Sequence, residues 1–402
     1  MSSHARHFKN DSLNDLPKPD YHTELLSSLE RINTYNPPVH TCSTGWSFSG
    51  LYKGPTSIGF LFHRLSQLYP DLTFKSQSLL EWAEAYLKLS EVHVTRKADV
   101  DPDHCGIANE TLSYLAVNSV ISNDASLAQK LCAYESTIND KGGSNEWLYG
   151  RAGYLYLLRL CRTHFNKQQQ ASVTKSLEQT IERTVNRIMS TPLPWTWHGK
   201  QYMGAAHGYF GIVAQLVLSL PDSAQKLESL VSDLLDTQFE SGNFPSSIEG
   251  FLGKNAMTGS DKLVQFCHGA PGFVTSLEPV KMYFSSEIQS RITRALESAK
   301  DDICKRGLLT KSPCLCHGIA GNAPCFTDSK DDRFEKFLVA MSTEQIEANA
   351  RGGRGGLEKG WMEDAGQSDG FAGLWTGEAG RAWVWAVADR KDERRLLGFN
   401  DV

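Results

Sequence analysis

The sequence predicts an all-α protein built as a ring of seven helical hairpins, and three features carry that expectation. A glycine-centred signature recurs along the 402 residues as Gly54-Pro-Thr-Ser57, Gly106-Ile-Ala-Asn109, Gly150-Arg-Ala-Gly153, Gly208-Tyr-Phe-Gly211, Gly269-Ala-Pro-Gly272, Gly318-Ile-Ala-Gly321 and Gly377-Glu-Ala-Gly380. Successive first glycines lie 52, 44, 58, 61, 49 and 59 residues apart, which leaves room for two helices and their loops in each unit. Each signature opens a strongly apolar run, and amphipathic segments alternate with those runs.

The apolar runs read as inner helices. Phe60-Leu61-Phe62, Tyr154-Leu-Tyr-Leu-Leu158 and Ile212-Val-Ala-Gln-Leu-Val-Leu218 are apolar on nearly every face, and such helices belong in an interior. The segments between them read as an outer layer. Leu177, Ile181, Val185 and Ile188 recur at i, i+4, i+8 and i+11 among Glu178, Glu182, Arg183 and Arg187. Leu227, Leu230, Val231, Leu234 and Leu235 repeat the pattern. A glycine at each inner-helix start permits a tight turn and the close approach of another backbone, which gives the signature a structural purpose of its own. Ser57 and Asn109 stand where the second glycine is otherwise found. Alternating β-branched runs are few, so almost no sheet is expected. Gly352 to Gly370 holds seven glycines in 19 residues and reads as a loop, because the seventh signature follows it. Residues 1–402 are therefore expected to form one domain, with seven helix starts converging on a central mouth.

Composition removes several classes of function. A formal net charge of −5 and a pI near 6.2 give no support to a nucleic-acid surface, which shows clustered basic residues. Met1 to Asp11 mixes His, Arg, Lys and Asp and lacks the apolar core of about 7–15 residues of a secretory signal. No run approaches the ~18 apolar residues of a membrane span, so a cytoplasmic protein is expected. Lipidation and peripheral membrane association stay open. Nine cysteines, an odd number, exclude a complete intrachain disulfide framework and fit a reduced compartment. The ordinary reading of any one of them is a small buried residue.

Two signatures differ in what precedes them. Cys267-His268-Gly269 and Cys316-His317-Gly318 put a Cys-His pair at the same position of adjacent repeats, where their side chains can meet at the mouth. Cysteine and histidine are the donors zinc prefers, and a catalytic zinc uses three protein ligands with an open fourth position. The spacing alone leaves open two core cysteines with surface histidines. His207 precedes Gly208 and shares the mouth, as a scaffold residue or as a group that moves protons near neutral pH. Glu146 and Arg151 flank the third signature and read plainly as a solvated pair at a helix start, while Lys311 by itself is a surface lysine. Lys254 follows Gly253, but the glycine spacing and Asn255 do not match a phosphate-binding loop.

These residues resemble the lanthionine-synthetase-C-like family over nearly the whole chain. The resemblance rests on Trp147-Leu-Tyr-Gly-Arg-Ala-Gly153, Ala206-His-Gly-Tyr-Phe-Gly211, Phe266-Cys-His-Gly-Ala-Pro-Gly272 and Leu315-Cys-His-Gly-Ile-Ala-Gly-Asn322, and Gly242-Asn-Phe-Pro-Ser-Ser247 is similar to the eukaryotic branch. It implies an α/α toroid of seven helical hairpins. It also implies one zinc ion held by residues matching Cys267, Cys316 and His317, with His268 not a ligand. The proton-transfer histidine of the bacterial cyclases matches His207, and its acidic companion matches Glu146. Eukaryotic members are implied to bind glutathione and add its thiol to dehydroalanine or dehydrobutyrine in polypeptides, with Lys311 and Arg6 as the matching glutathione-binding residues. The arginine that bacterial cyclases carry before the first zinc cysteine has no clear counterpart around Lys262.

The chemistry is consistent with the donors. A free thiol with a pKa of about 8.5 is only a few per cent ionised at neutral pH, whereas a metal-bound thiol is deprotonated. Attack on the β-carbon of a dehydroamino acid develops an enolate, which ends by taking a proton at the α-carbon. Two other classes stay open: a zinc- and glutathione-binding signalling adaptor without turnover, and a glycosidase using Glu146 and Glu378, which requires two carboxylates roughly 5–10 Å apart.

Overall fold

In the computed structural model, which describes residues 6–8, 16–39, 45–96, 99–252, 261–327, 331–351 and 369–402, an inner helix starts at each of the seven signatures. These helices are Pro55–Leu68, Glu110–Ile121, Arg151–Lys167, Tyr209–Ser219, Ala270–Leu277, Ile319–Asn322 and Glu378–Arg390. Their apolar composition is matched by burial: in Tyr209–Ser219 every residue except Leu218 is buried. The helices Leu79–Arg96, Ala125–Ala133, Ala171–Met189, Ser223–Leu235, Ser286–Arg306 and Arg333–Ala340 each follow an inner helix and pack against it from outside. Tyr21–Tyr35 packs on the last inner helix, so the seventh hairpin is closed by the amino-terminal part of the chain. Neighbouring inner helices touch all the way round, the fifth meeting the Ala323–Cys325 turn that continues the sixth and the last meeting the first, and the architecture is an α/α toroid.

The outer helices bury the stripe their spacing predicts. Leu177, Ile181, Val185 and Ile188 all face inward, and each contributes on the order of 1.5–3 kcal/mol by leaving water. The two-residue strands Thr73–Phe74 and Gln77–Ser78 form the sheet seen among the described residues. The sixth inner helix is shorter than its apolar run suggests. It ends at Asn322 and continues as a single tight turn over Ala323–Cys325, where Pro324 lacks the amide a longer helix would use.

The repeated second glycine has a geometric cause. A Cβ at Gly153, Gly211, Gly272, Gly321 or Gly380 would lie 2.0, 1.9, 2.2, 1.8 or 2.2 Å from a carbonyl oxygen, in each case that of the residue six positions earlier. The helix start is pressed against the loop that leads into it, and only glycine fits. The two departures resolve the contact in other ways. Ser57 Oγ donates to the Gly54 carbonyl at 2.7 Å and accepts the Leu374 amide at 3.3 Å. Asn109 becomes an N-cap, its Oδ1 accepting from the Leu112 amide at 2.9 Å, and the helix begins at Glu110. Its side-chain amide also donates to the His104 carbonyl at 2.8 Å. Asn109→Ala is expected to lower stability by about 1–2 kcal/mol, read as a lower urea midpoint with an unchanged slope.

Backbone hydrogen bonds join the loops around the mouth into a belt. Leu51 donates to Ile107 at 2.8 Å, Ile107 to Trp147 at 3.4 Å, and Trp147 to Ala206 at 3.1 Å. Cys267 donates to Cys316 at 3.1 Å, Cys316 to Trp375 at 2.9 Å, and Trp375 to Tyr52 at 3.0 Å. Between Ala206 and Cys267 the belt is completed by contact, since a Cβ on Gly204 would meet the Cys267 carbonyl at 1.9 Å. The axis below the belt is filled by rings: Trp147 lies 4.7 Å from Trp375, Phe266 4.5 Å from Trp375, and Phe399 5.3 Å from Trp147.

Candidate active site

The belt decides which side chains meet. The bond between the Cys267 amide and the Cys316 carbonyl sets two residues that are 49 positions apart side by side. The two thiols interact with each other, and the Cys316 thiol also interacts with the His317 imidazole. The Cys267 sulfur accepts from the Gln265 side-chain amide at 3.0 Å, and the Cys316 sulfur from the Tyr52 hydroxyl at 3.4 Å. The hydrogen bond from Cys316 holds the Cys267 thiol below its usual range despite burial, while the same bond pushes Cys316 the other way. The His317 imidazole is pushed up to about 11 by the charge of Cys314 and its hydrogen bond, and then by Cys316. Two thiols and an imidazole side by side are the donor chemistry zinc takes. Among the described residues no group of three or more His, Cys, Asp or Glu side chains already stands in an arrangement that would hold a metal ion.

His207 sits on the same rim, its ring 6.4 Å from that of His268. Its Nδ1 is 3.0 Å from Glu146 Oε2. Glu146 is buried, and its carboxylate also accepts the backbone amides of Leu148, at 2.8 Å, and Tyr149. The sequence reading of Glu146 and Arg151 as a solvated pair is thus corrected: both are buried. Arg151 donates to the carbonyls of Ile138, at 2.9 Å, and Asp140, at 2.9 Å, and to Asn145 at 3.0 Å, which pins the loop that carries Glu146. Burial pushes His268 down to about 4, followed by the charges of His207 and Lys311, so it is neutral at working pH, and its Nδ1 has no hydrogen-bond partner among the described residues.

Lys311 is half-buried, and its Nζ donates to Gln265 Oε1 at 3.1 Å. Gln265 therefore links the lysine to the Cys267 sulfur. Lys262 is exposed, so the cation coupled to that cysteine comes from the next repeat. Residues 6–8 lie antiparallel to 308–310: the Phe8 amide bonds Leu308 O at 2.7 Å and the Thr310 amide bonds Arg6 O at 3.1 Å, which sets exposed Arg6 next to the loop of Lys311. Glu378 does not join the site. It is fully buried and bonds Arg31 at 2.6 Å and Arg381 at 3.0 Å, so Glu146 and Glu378 do not form the carboxylate pair a glycosidase needs. Lys254 and most of Gly352 to Gly370 lie outside the described residues.

Comparison with known proteins bears on this arrangement. The family model described as lanthionine synthetase C-like protein matches residues 45–399. The chain belongs to the lanthionine synthetase C-like family. A zebrafish (Danio rerio) relative named glutathione S-transferase LANCL1 is 29% identical over 319 residues, covering 75% of this chain and 72% of its own length. The Arabidopsis thaliana LanC-like protein GCL1 is 32% identical over 197 residues, covering 46% of this chain and 42% of its own. Among solved structures, nisin cyclase matches 94% of the chain and 95% of its own with a TM-score of 0.53 at 14% identity, a likeness of fold.

As a member of this family the chain shows mouth residues that sequence reasoning did not single out. Tyr52 and Gln265 touch the cysteine sulfurs, yet a tyrosine and a glutamine outside any motif carry no signal. Cys314, two residues before Cys316, makes a Cys-x-Cys-His run, which the ordinary reading of a cysteine as a small buried residue passes over. Trp197 stacks on His207 with ring centroids 3.8 Å apart and 3° between the planes, a contact no local pattern reveals.

Proposed function

We propose that the protein is a cytoplasmic zinc-dependent enzyme that adds the thiol of glutathione to dehydroalanine or dehydrobutyrine residues of polypeptides. The observation that carries this reading is the Cys267 to Cys316 belt bond, which gathers two thiols and His317 on the same rim as the His207–Glu146 pair. Cys267, Cys316 and His317 would hold the zinc. The metal would supply a Lewis acid that removes the proton of a bound thiol at neutral pH.

The remaining steps fall to side chains of the chain itself. Lys311, with its positive charge beside the cysteines, pairs with a carboxylate of glutathione, and Arg6 stands close enough along the backbone to assist. The sulfur forms a bond to the β-carbon, the π pair of the alkene moves to the adjoining carbonyl as an enolate, and the α-carbon then takes a proton. Glu146 accepts from Nδ1–H of His207, leaving Nε2 to deliver that proton. A cavity of about 130 Å3 beside the pair, whose lining includes Asn145, Thr191, Thr196 and Tyr209 as well as Trp195 and Ile212, has polar groups and size for waters that would reload it.

The test is metal analysis combined with a glutathione-addition assay on a dehydroalanine peptide. One zinc per chain with thioether formation supports the reading. Zinc and glutathione binding without thioether would leave a non-catalytic signalling adaptor, and absence of zinc would overturn the site. Lys311→Ala is expected to weaken glutathione binding roughly tenfold while zinc is retained, as for a partly buried charge-assisted hydrogen bond. The effect should shrink in high salt, and isothermal titration at two ionic strengths reads both.

A further inference from the structure

We infer that Trp197 is the positioning residue of the His207 imidazole, held over it by a turn built for that purpose. The inference rests on the proposed proton-transfer role of His207 and adds the group that sets its geometry. Glu146 fixes only one degree of freedom of the ring: the Nδ1 contact at 3.0 Å sets the rotation within its plane and the tautomer. The tilt of the plane is left to whatever packs on its face. That neighbour is the Trp197 indole, parallel to within 3° at a centroid distance of 3.8 Å. Tyr149 lies parallel to both, 6.1 Å from each, and Tyr202 closes the cluster at 5.7 Å from Trp197.

The segment carrying Trp197 shows why the contact exists. Trp197 and Lys200 exchange both backbone hydrogen bonds, at 2.9 and 3.1 Å, around His198 and Gly199, whose φ values of 48° and 71° are both left-handed. That is a two-residue hairpin turn, whose tip at His198, Gly199 and Lys200 is exposed to solvent. Trp197 alone folds back from it, half-buried, and among the described residues its ring contacts beyond the adjacent His198 are Tyr149, Tyr202 and His207, all at the mouth. With the face covered by indole and Nδ1 held by Glu146, the imidazole presents Nε2 in one orientation.

The experiment compares Trp197→Ala, Trp197→Phe and Gly199→Pro in the full chain. Gly199 is exposed and a Cβ there meets nothing within 4 Å, but proline cannot adopt its φ of 71°. That variant opens the turn while leaving the indole side chain itself unaltered. Trp197→Ala and Gly199→Pro are expected to lower kcat by about 10–100-fold with zinc content and KM for glutathione unchanged, because small misplacement of a catalytic group costs that much. Trp197→Phe keeps a stacking face and should recover most of the rate. Nitrogen-15 NMR of the His207 ring supplies a readout independent of turnover: the wild type should show sharp ring signals of one orientation, and Trp197→Ala and Gly199→Pro signals broadened by exchange among tilts. An unchanged NMR pattern or unchanged kcat in both disruptive variants overturns the inference. So does a raised KM for the polypeptide with kcat retained, which would make the indole a binding platform. Should the wild type fail to add glutathione, the functional reading falls, and the ring NMR still decides what Trp197 does.

Discussion

Cys316→Ala is expected to abolish zinc binding. Three donors share a binding free energy on the order of 10 kcal/mol, so one of them carries about 3 kcal/mol, more than a hundredfold in affinity. The substitution is clean because the structural part of Cys316 is its backbone. Its amide bonds Trp375 and its carbonyl accepts from Cys267, and alanine keeps both. The fold should survive, with helical circular dichroism unchanged, while metal content after dialysis falls from one per chain toward zero. Cys267→Ala and His317→Ala should weaken binding severely for the same reason, and His268→Ala should leave zinc in place. Full zinc occupancy in the dialysed Cys316→Ala protein would refute the assignment.

His207→Asn should keep zinc and bind glutathione yet add it to dehydroalanine peptides at least about a hundredfold more slowly, since a positioned acid contributes 10²–10⁴-fold to such a step. Asparagine keeps polarity and approximate size, and the hydrogen bond to Glu146 can be remade by its amide. What it lacks is a proton to give to the α-carbon. The buried Glu146 carboxylate, already bonded to two backbone amides, is held in place by those bonds and is poorly placed to act alone. Steady-state rates beside metal analysis read the outcome. Wild-type turnover would reduce His207 to a scaffold residue, and loss of zinc would make it a support of the metal site.

Much of this arrangement was legible in the chain itself, for a physical reason. Helix starts that press on the loop leading into them need glycine, and apolar and amphipathic helices must alternate when one layer covers another. Both demands act on neighbouring residues, so the seven signatures and the stripe through Leu177 and Ile188 appear directly in the sequence. The Cys-His pairs were legible because they fall at one register of the repeat, and repetition turns sequence position into spatial position.

Other features answer to contacts between distant segments, and no local pattern records them. Burial of Glu146 and Arg151 depends on the carbonyls of Ile138 and Asp140 curling over the guanidinium. The tie from Lys311 through Gln265 to Cys267 spans 46 positions before it turns back on itself. Trp197 meets His207 because a two-residue turn folds it back, and Glu378 is withdrawn from the mouth by Arg31, 347 positions away. The amino acids alone determined the ring, its seven helix starts and the donors gathered there. Only the tertiary structure decided which thiol touches which, through the belt, which carboxylate orients the imidazole and which aromatic ring covers it, because these depend on how the loops fold onto one another and not on residue spacing.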